Sequence, residues 1–188
     1  MAVTTAKKSA STPFLTDVQT LRKRARSHID EGAVTPGYGA DSSLVCKVLN
    51  EALATEIVCV LRYKRHYFMA QGLSSDSVKQ EFLEHANEEQ AHADKIAERI
   101  VQLGGEPDLD PAGLVSRSHS EYVEGRSLVD MIREDLVAER VAIESYREMI
   151  AWLDGKDPTT SQMLKNILSN EEEHAEDLNS LLQGLKVA

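Results

Sequence analysis

The sequence predicts an all-α protein: a four-helix bundle with a long crossover between its second and third helices, preceded by a short N-terminal helix. Three observations carry this. Hydrophobic residues are 41% of the 188, but aromatics are only 5% and Gly and Pro number 10 and 5, which suits helices better than a turn-rich β fold. Four segments place apolar residues in alternating steps of three and four, the inward stripe of a bundle helix. A lone Glu followed by Glu-x-x-His occurs twice, Glu56 standing 33 residues before Glu89 and Glu139 32 before Glu171. Tyr63 and Tyr146 each follow the lone Glu by seven residues, so the pattern is an internal repeat.

In chain order, residues 1–13 are small and polar and are expected to be disordered. Thr16 is expected to cap a short helix reaching about Asp30, with Gly32 as its stop and Val18, Leu21, Ala25 and Ile29 as a stripe by which it docks. Residues 1–40 thus read as a basic arm and 41–188 as the bundle. Asp41 or Ser42 opens the first long helix, which runs to Gln71-Gly72 with Leu49, Leu53, Glu56, Val60, Tyr63 and Tyr67 inward. Ser74 or Ser75 opens the second, reaching Leu103 before Gly104-Gly105, and its stripe holds Val78, Phe82, His85, Glu89, His92 and Ile96. Residues from Glu106 to about Arg126 are rich in Pro, Gly, Asp and Ser and are long enough to cross the bundle end to end.

Ser127 with Asp130 resembles a capping box for the third helix, whose inward face includes Ile132, Asp135, Glu139, Ala142, Tyr146 and Met149. Asp157-Pro158 is a cap followed by a first-turn proline, opening a fourth helix that ends at about Gly184 with Leu164, Ile167, Glu171, His174 and Leu178 inward. The helices should be about 26 to 30 residues long, or ~40 to 45 Å at the helical rise.

Composition narrows the setting. Residues 1–36 carry six cations and three anions, net +3, so with −10 overall the remainder carries −13: an acidic body and a basic arm. Cys46 and Cys59, if both lie on the first long helix, are ~20 Å apart and cannot pair. Reduced thiols, no secretory leader and no membrane-length apolar run point to a cytoplasmic protein with no membrane partner.

On a helix, Glu89 and His92 share one face, as do Glu171 and His174. One such pair on an acidic helix is ordinarily a solvated face. Here four glutamates and two histidines share stripes with Leu, Ile and Val at mid-height. Buried carboxylates require protons, water or cations for compensation, and two divalent cations balance four of them. One Glu from each of two helices and Glu-x-x-His from each of the other two is the known donor pattern of dinuclear carboxylate bundles, and oxygen donors with one imidazole per ion favour iron or manganese over structural zinc. Tyr63 and Tyr146 read as packing residues with bonded hydroxyls or as electron donors, His85 as a channel or supporting group, and Asp135 as an orienter of a ligand histidine.

LNEALATE ending at Glu56, EEQAHAD around Glu89 and His92, DLVAE ending at Glu139 and NEEEHAEDL around Glu171 and His174 together resemble the bacterioferritin branch of the ferritin-like superfamily, over residues 41–186. The resemblance implies an intrasubunit di-iron ferroxidase centre, with Glu56 and Glu139 terminal, Glu89 and Glu171 bridging, His92 and His174 one per iron, and Tyr63 as the redox tyrosine. Gln90 stands where haem-binding members carry methionine, so haem is not expected, and Asn170 replaces a common Asp before the last motif. The chain stops soon after His174, without a fifth helix. That, with the basic arm, looks more like a twelve-subunit Dps shell than a 24-subunit cage.

The expected function is therefore iron storage and detoxification: Fe(II) is oxidised by O2 or H2O2 and stored as Fe(III) in a homo-oligomeric cage, with two irons per subunit and manganese as the alternative metal. Competing readings are a di-manganese catalase or rubrerythrin-like peroxidase, and a Dps-type protector binding DNA through Lys7, Lys8 and Arg22 to Arg26.

Overall fold

Each of the four long segments read as a helix is one in the computed structural model, which describes residues 16–72 and 75–187. These residues fall into two units divided after Gly37.

In the first unit, α1 spans Val18–Arg24. Its cap is Asp17 and not Thr16: one carboxylate oxygen accepts from the backbone N–H of Gln19 at 3.0 Å and of Thr20 at 3.1 Å. The helix ends well before Asp30 because His28 takes a left-handed backbone, φ 52°, and only a 3-10 turn, Ile29–Glu31, follows. Within this unit Val18, Leu21 and Ile29 are exposed. The expectation for residues 1–13 lies outside the described residues.

In the second unit, α2 spans Ser42–Met69, α3 Ser75–Gln102, α4 Leu114–Arg117, α5 Leu128–Leu153 and α6 Pro158–Val187. The caps are largely those the sequence offers. Asp41 accepts from Leu44 N–H at 3.2 Å, Ser127 from Asp130 N–H at 3.2 Å and Asp157 from Thr160 N–H at 2.9 Å. Ser74, an expected cap of α3, lies outside the described residues. After α3, Gly104 supplies φ 80°, and a Cβ on Gly105 would come within 2.7 Å of Cys46 Sγ, so the pair both stops the helix and lets the chain pass close over α2.

Short connections make α2–α3 and α5–α6 two antiparallel pairs, which pack with α2 against α5 and α3 against α6. The crossover is tied down along α2. Asn50 donates to Glu106 O and accepts from Asp108 N–H, Thr55 Oγ1 accepts from His119 N–H, and the Arg62 and Arg65 guanidinium groups reach Glu121 O and Glu124 O. The one-turn α4 within it, absent from the sequence reading, packs on α2. Among the described residues there is no strand, and no helix is long and apolar enough to cross a membrane. Cys46 and Cys59 are buried and unpaired.

Candidate metal centre

The four inward stripes converge at mid-height. Glu56, Glu89, His92, Glu139, Glu171 and His174 are each at most 1% exposed. They form two overlapping groups, Glu56, Glu89, His92 and Glu171 in one and Glu89, Glu139, Glu171 and His174 in the other, with the ligand atoms of each group within 4.8 Å of one another. The shared members are Glu89 and Glu171. His92 Nδ1 lies 3.0 Å from Glu171 Oε1, 3.4 Å from Glu56 Oε2 and 3.6 Å from Glu89 Oε2. His174 Nδ1 lies 3.4 Å from Glu89 Oε1, 3.7 Å from Glu139 Oε2 and 4.0 Å from Glu171 Oε2. Glu89 and Glu171 thus turn one oxygen toward each histidine, while Glu56 and Glu139 each face one side only.

Atoms that do not face the centre are held from outside. Tyr146 hydroxyl donates to Glu56 Oε1 and Tyr63 hydroxyl to Glu139 Oε1. His174 Nε2 meets Glu88 Oε2 at 2.5 Å and His92 Nε2 meets Asn170 Oδ1 at 3.4 Å. Facing inward, Glu56 Oε2, Glu89 Oε1, Glu139 Oε2, both oxygens of Glu171 and Nδ1 of both histidines are buried without a hydrogen-bond partner. An orphaned buried polar atom costs about 1–3 kcal/mol, and seven approach a domain's whole stability of about 5–15 kcal/mol. Oxygen and imidazole nitrogen donors left open around shared carboxylates fit a pair of divalent cations.

Protonation follows the same geometry. Burial and repulsion from Glu89 push the Glu56 carboxyl well above the usual range, and burial with the charges of Glu89, Glu56 and Glu139 does so for Glu171. Burial also opposes ionisation of Glu89, but the polar groups of Glu56, His174 and His92 close around it hold it below that range. Burial works against the charged imidazoles too, yet the carboxylates of Glu56 and Glu89 beside it push His92 up to about 10, and those of Glu139 and Glu89 push His174 up to about 12. Burial and nearby carboxylates push both tyrosines well up, keeping them neutral donors. Without metal, the pocket holds protons where cations would sit.

One supporting residue, Glu88, is not marked by the sequence reading; it holds the outer nitrogen of His174 from its place beside Glu89 on the flank of the stripe, and Asn170, noted for replacing a common Asp, holds that of His92. Asp135 orients neither ligand histidine: it takes Arg62 Nε at 2.8 Å and His66 Nδ1 at 2.8 Å. His85 Nδ1 is 3.2 Å from the Tyr63 hydroxyl, and its ring stacks on His174 with centroids 4.0 Å apart.

A four-helix bundle with one carboxylate from each of two helices and Glu-x-x-His from each of the others defines a class, the carboxylate-bridged dinuclear bundles. The comparisons give the family: the ferritin-like domain matches residues 46–188, and the chain belongs to it. It is 31% identical over 150 residues to a DNA protection during starvation protein of Pyrococcus furiosus, covering 78% of this chain and 80% of that protein. It is 27% identical over 131 residues to a bacterioferritin of Desulfovibrio desulfuricans, covering 69% of each. Among solved structures, a dodecameric thioferritin, the bacterioferritin-related protein from Bacteroides fragilis, superposes with a TM-score of 0.76 at 34% identity over 79% of this chain and 89% of that one. Relatives of both kinds that the resemblance implied are thus present.

Proposed function

We propose that the protein stores and detoxifies iron, oxidising Fe(II) at the dinuclear centre and holding Fe(III) in a cytoplasmic homo-oligomeric cage. The observation that carries this reading is the set of orphaned donors in two overlapping groups. Iron is the substrate. Two Fe(II) ions give up one electron each; O2 takes both with two protons and leaves as H2O2, or H2O2 takes both with two protons and leaves as two waters.

The residues have distinct parts in this scheme. Glu56, Glu89 and His92 with Glu171 hold one ion, and Glu139, Glu171 and His174 with Glu89 the other. The bridging carboxylates keep the two close enough for a two-electron transfer to one oxidant. Tyr63 donates to Glu139 and so is placed to supply one further electron, with its proton passing to Glu139, where O2 takes more than the two electrons the irons give. Tyr146 and Glu88 position their ligands. The dodecameric Bacteroides fragilis relative supports a shell of twelve, and the acidic body supplies an anionic lining for ferric iron.

The test is anaerobic Fe(II) titration followed by oxidant. Saturation at two irons per chain and loss of oxidation in Glu89→Ala are expected; full activity in Glu89→Ala would sink the reading. Sustained oxygen evolution from peroxide by a manganese-loaded protein would replace it with a catalase.

A second reading rests on the exposed Arg22, Lys23, Arg24 and Arg26 of the N-terminal unit, together with relatives named for DNA protection. Duplex DNA should shift in a gel at low salt and lose the shift on deletion of residues 1–26. No shift by the intact protein ends that reading.

A further inference from the structure

Three contacts step along the antiparallel seam of α2 and α5 in constant register: Glu56 with Tyr146, Tyr63 with Glu139, and His66 with Asp135. A slip of one helical turn, ~5.4 Å, would undo all three. The first two end on donors of the metal centre, whereas the third joins residues outside it. Asp135 is filled on both oxygens from α2: Arg62 Nε donates to Oδ1 at 2.8 Å and His66 Nδ1 meets Oδ2 at 2.8 Å. Arg62 and His66 stand one turn apart on α2, on either side of Tyr63 in sequence, and Asp135 stands one turn before Glu139 on α5. Holding Asp135 therefore holds the turn of α5 that meets Tyr63.

The same cluster brackets the Tyr63 ring. The central carbon of the Arg62 guanidinium lies 5.9 Å from its centroid, and Phe82 of α3 packs on both aromatic neighbours, with centroids 6.1 Å from Tyr63 and 5.7 Å from His66. Arg62, His66, Phe82 and Asp135 are fully buried, so none can turn without disturbing the close-packed ring between them. From the other side Arg62 is held by Glu121 O, and His66 Nε2 by the carbonyls of Val123 and Glu124. The second tyrosine has no such frame: outside the six donors and among the described residues, no buried ion pair stands within one turn of Tyr146 or Glu56 on its own helix, and Arg147 pairs with Glu144 and Glu172 in solvent.

We propose that Asp135, through Arg62 and His66, is a positioning residue for the Glu139 side of the dinuclear centre: it sets α2 against α5 so that the Tyr63 hydroxyl meets one oxygen of Glu139 and leaves the other facing His174. This rests on the dinuclear reading above, and the experiment separates the two. Co(II) alone is titrated anaerobically into the full-length metal-free protein and into its Asp135→Ala, Asp135→Asn, Asp157→Ala and Tyr63→Phe variants and the Tyr63→Phe/Asp135→Ala double variant, with helix content checked for each. If Asp135→Ala does not fold, Arg62→Met/Asp135→Leu, which removes both charges together, is measured in its place with the same expectation.

In Asp135→Ala one of the two ions is expected to bind about tenfold more weakly, the size of a lost supporting contact, and the other as in the wild type. Asp135→Asn, whose amide can accept from Arg62 and donate to His66, should restore wild-type binding; an Asn variant as weak as Ala overturns positioning by contact. Tyr63→Phe should lose the same tenfold on one ion, and Asp135→Ala added to it should lose nothing more, because a residue acting through Tyr63 then has nothing left to act on. Asp157→Ala, which breaks a buried tie toward the opposite end of the bundle, should keep both ions. Two wild-type ions in Asp135→Ala overturn the inference and leave the dinuclear centre standing. Equal weakening of both ions, a further loss on top of Tyr63→Phe, or the same one-ion loss in Asp157→Ala marks a general loss of packing and overturns it as well. A wild type that binds no pair overturns the dinuclear reading and this inference with it.

Discussion

The bundle buries charge in two kinds of place. At one end of α6, Arg99 gives both an Nη2 bidentate contact to Asp157, at 3.0 and 3.1 Å, and an Nε bond to Thr160, while Tyr38 donates to the same carboxylate at 2.6 Å. Asp135 is likewise filled by Arg62 and His66. In the proposed metal centre, by contrast, carboxylates face carboxylates and seven atoms have no hydrogen-bond partner. A buried charge whose hydrogen bonds are complete is a structural tie. A buried charge with its outer atoms held and its inner atoms open is a receptor. Burial alone does not separate the two; saturation of the donors and acceptors does.

Breaking each region should therefore give opposite results. The largest effect expected is in metal binding: Glu171→Leu should abolish paired loading, at least a hundredfold in affinity, yet raise the melting temperature of the metal-free protein, since an apolar residue of similar size relieves repulsion among its neighbours. A lower melting temperature would show that the open donors are satisfied after all. Asp157→Ala should do the reverse, leaving metal stoichiometry intact while costing about 3–5 kcal/mol in denaturant unfolding, because Arg99 is left buried and uncompensated. Saturating the centre with a divalent cation at a hundred times its Kd should stabilise the wild type by about 2.7 kcal/mol, and the Glu171→Leu variant not at all.

Smaller effects sharpen the contrast. Glu88→Gln removes the carboxylate that holds His174 Nε2 and should weaken metal binding about tenfold with the fold unchanged. The pH dependence has a definite sign. His92 at about 10 and His174 at about 12 are protonated at neutral pH in the metal-free protein, and the carboxyls of Glu56 and Glu171 are raised in the same direction. Two cations displace the protons of both imidazoles, so apparent affinity should fall as pH falls. Calorimetry in buffers of different ionisation heat measures the release directly, and binding without it would contradict the assignment of His92 and His174 as ligands.

The elements that were legible were those where local rules and burial agree. Asp41, Ser127 and Asp157 cap helices where the sequence offers them, and Glu56, Glu89, His92, Glu139, Glu171 and His174 meet because their stripes must face inward. The misreadings share a cause too. Periodicity marks Thr16 as a cap candidate, but the carboxylate of Asp17 is the better acceptor and takes the cap. The left-handed His28 that ends that region is a backbone choice that Gly32 seemed to make unnecessary. Asp135 shares a stripe with Glu139, but Arg62 and His66 on the facing helix claim it, a pairing set by the rotation of α2 against α5. Glu88 stands on the flank of its stripe with its side chain half exposed, and periodicity marks such a residue as solvent-facing although it makes one inward bond.

The tyrosines cross between the helix pairs: Tyr63 of α2 secures Glu139 of α5, and Tyr146 of α5 secures Glu56 of α2. On the proposed assignment each hairpin carries one terminal carboxylate, one bridge and one imidazole, and each leans on the other to aim them. Neither hairpin owns a whole coordination sphere. A bound pair of cations is therefore a rivet between two halves of the chain, and its occupancy reports that the halves have closed on one another.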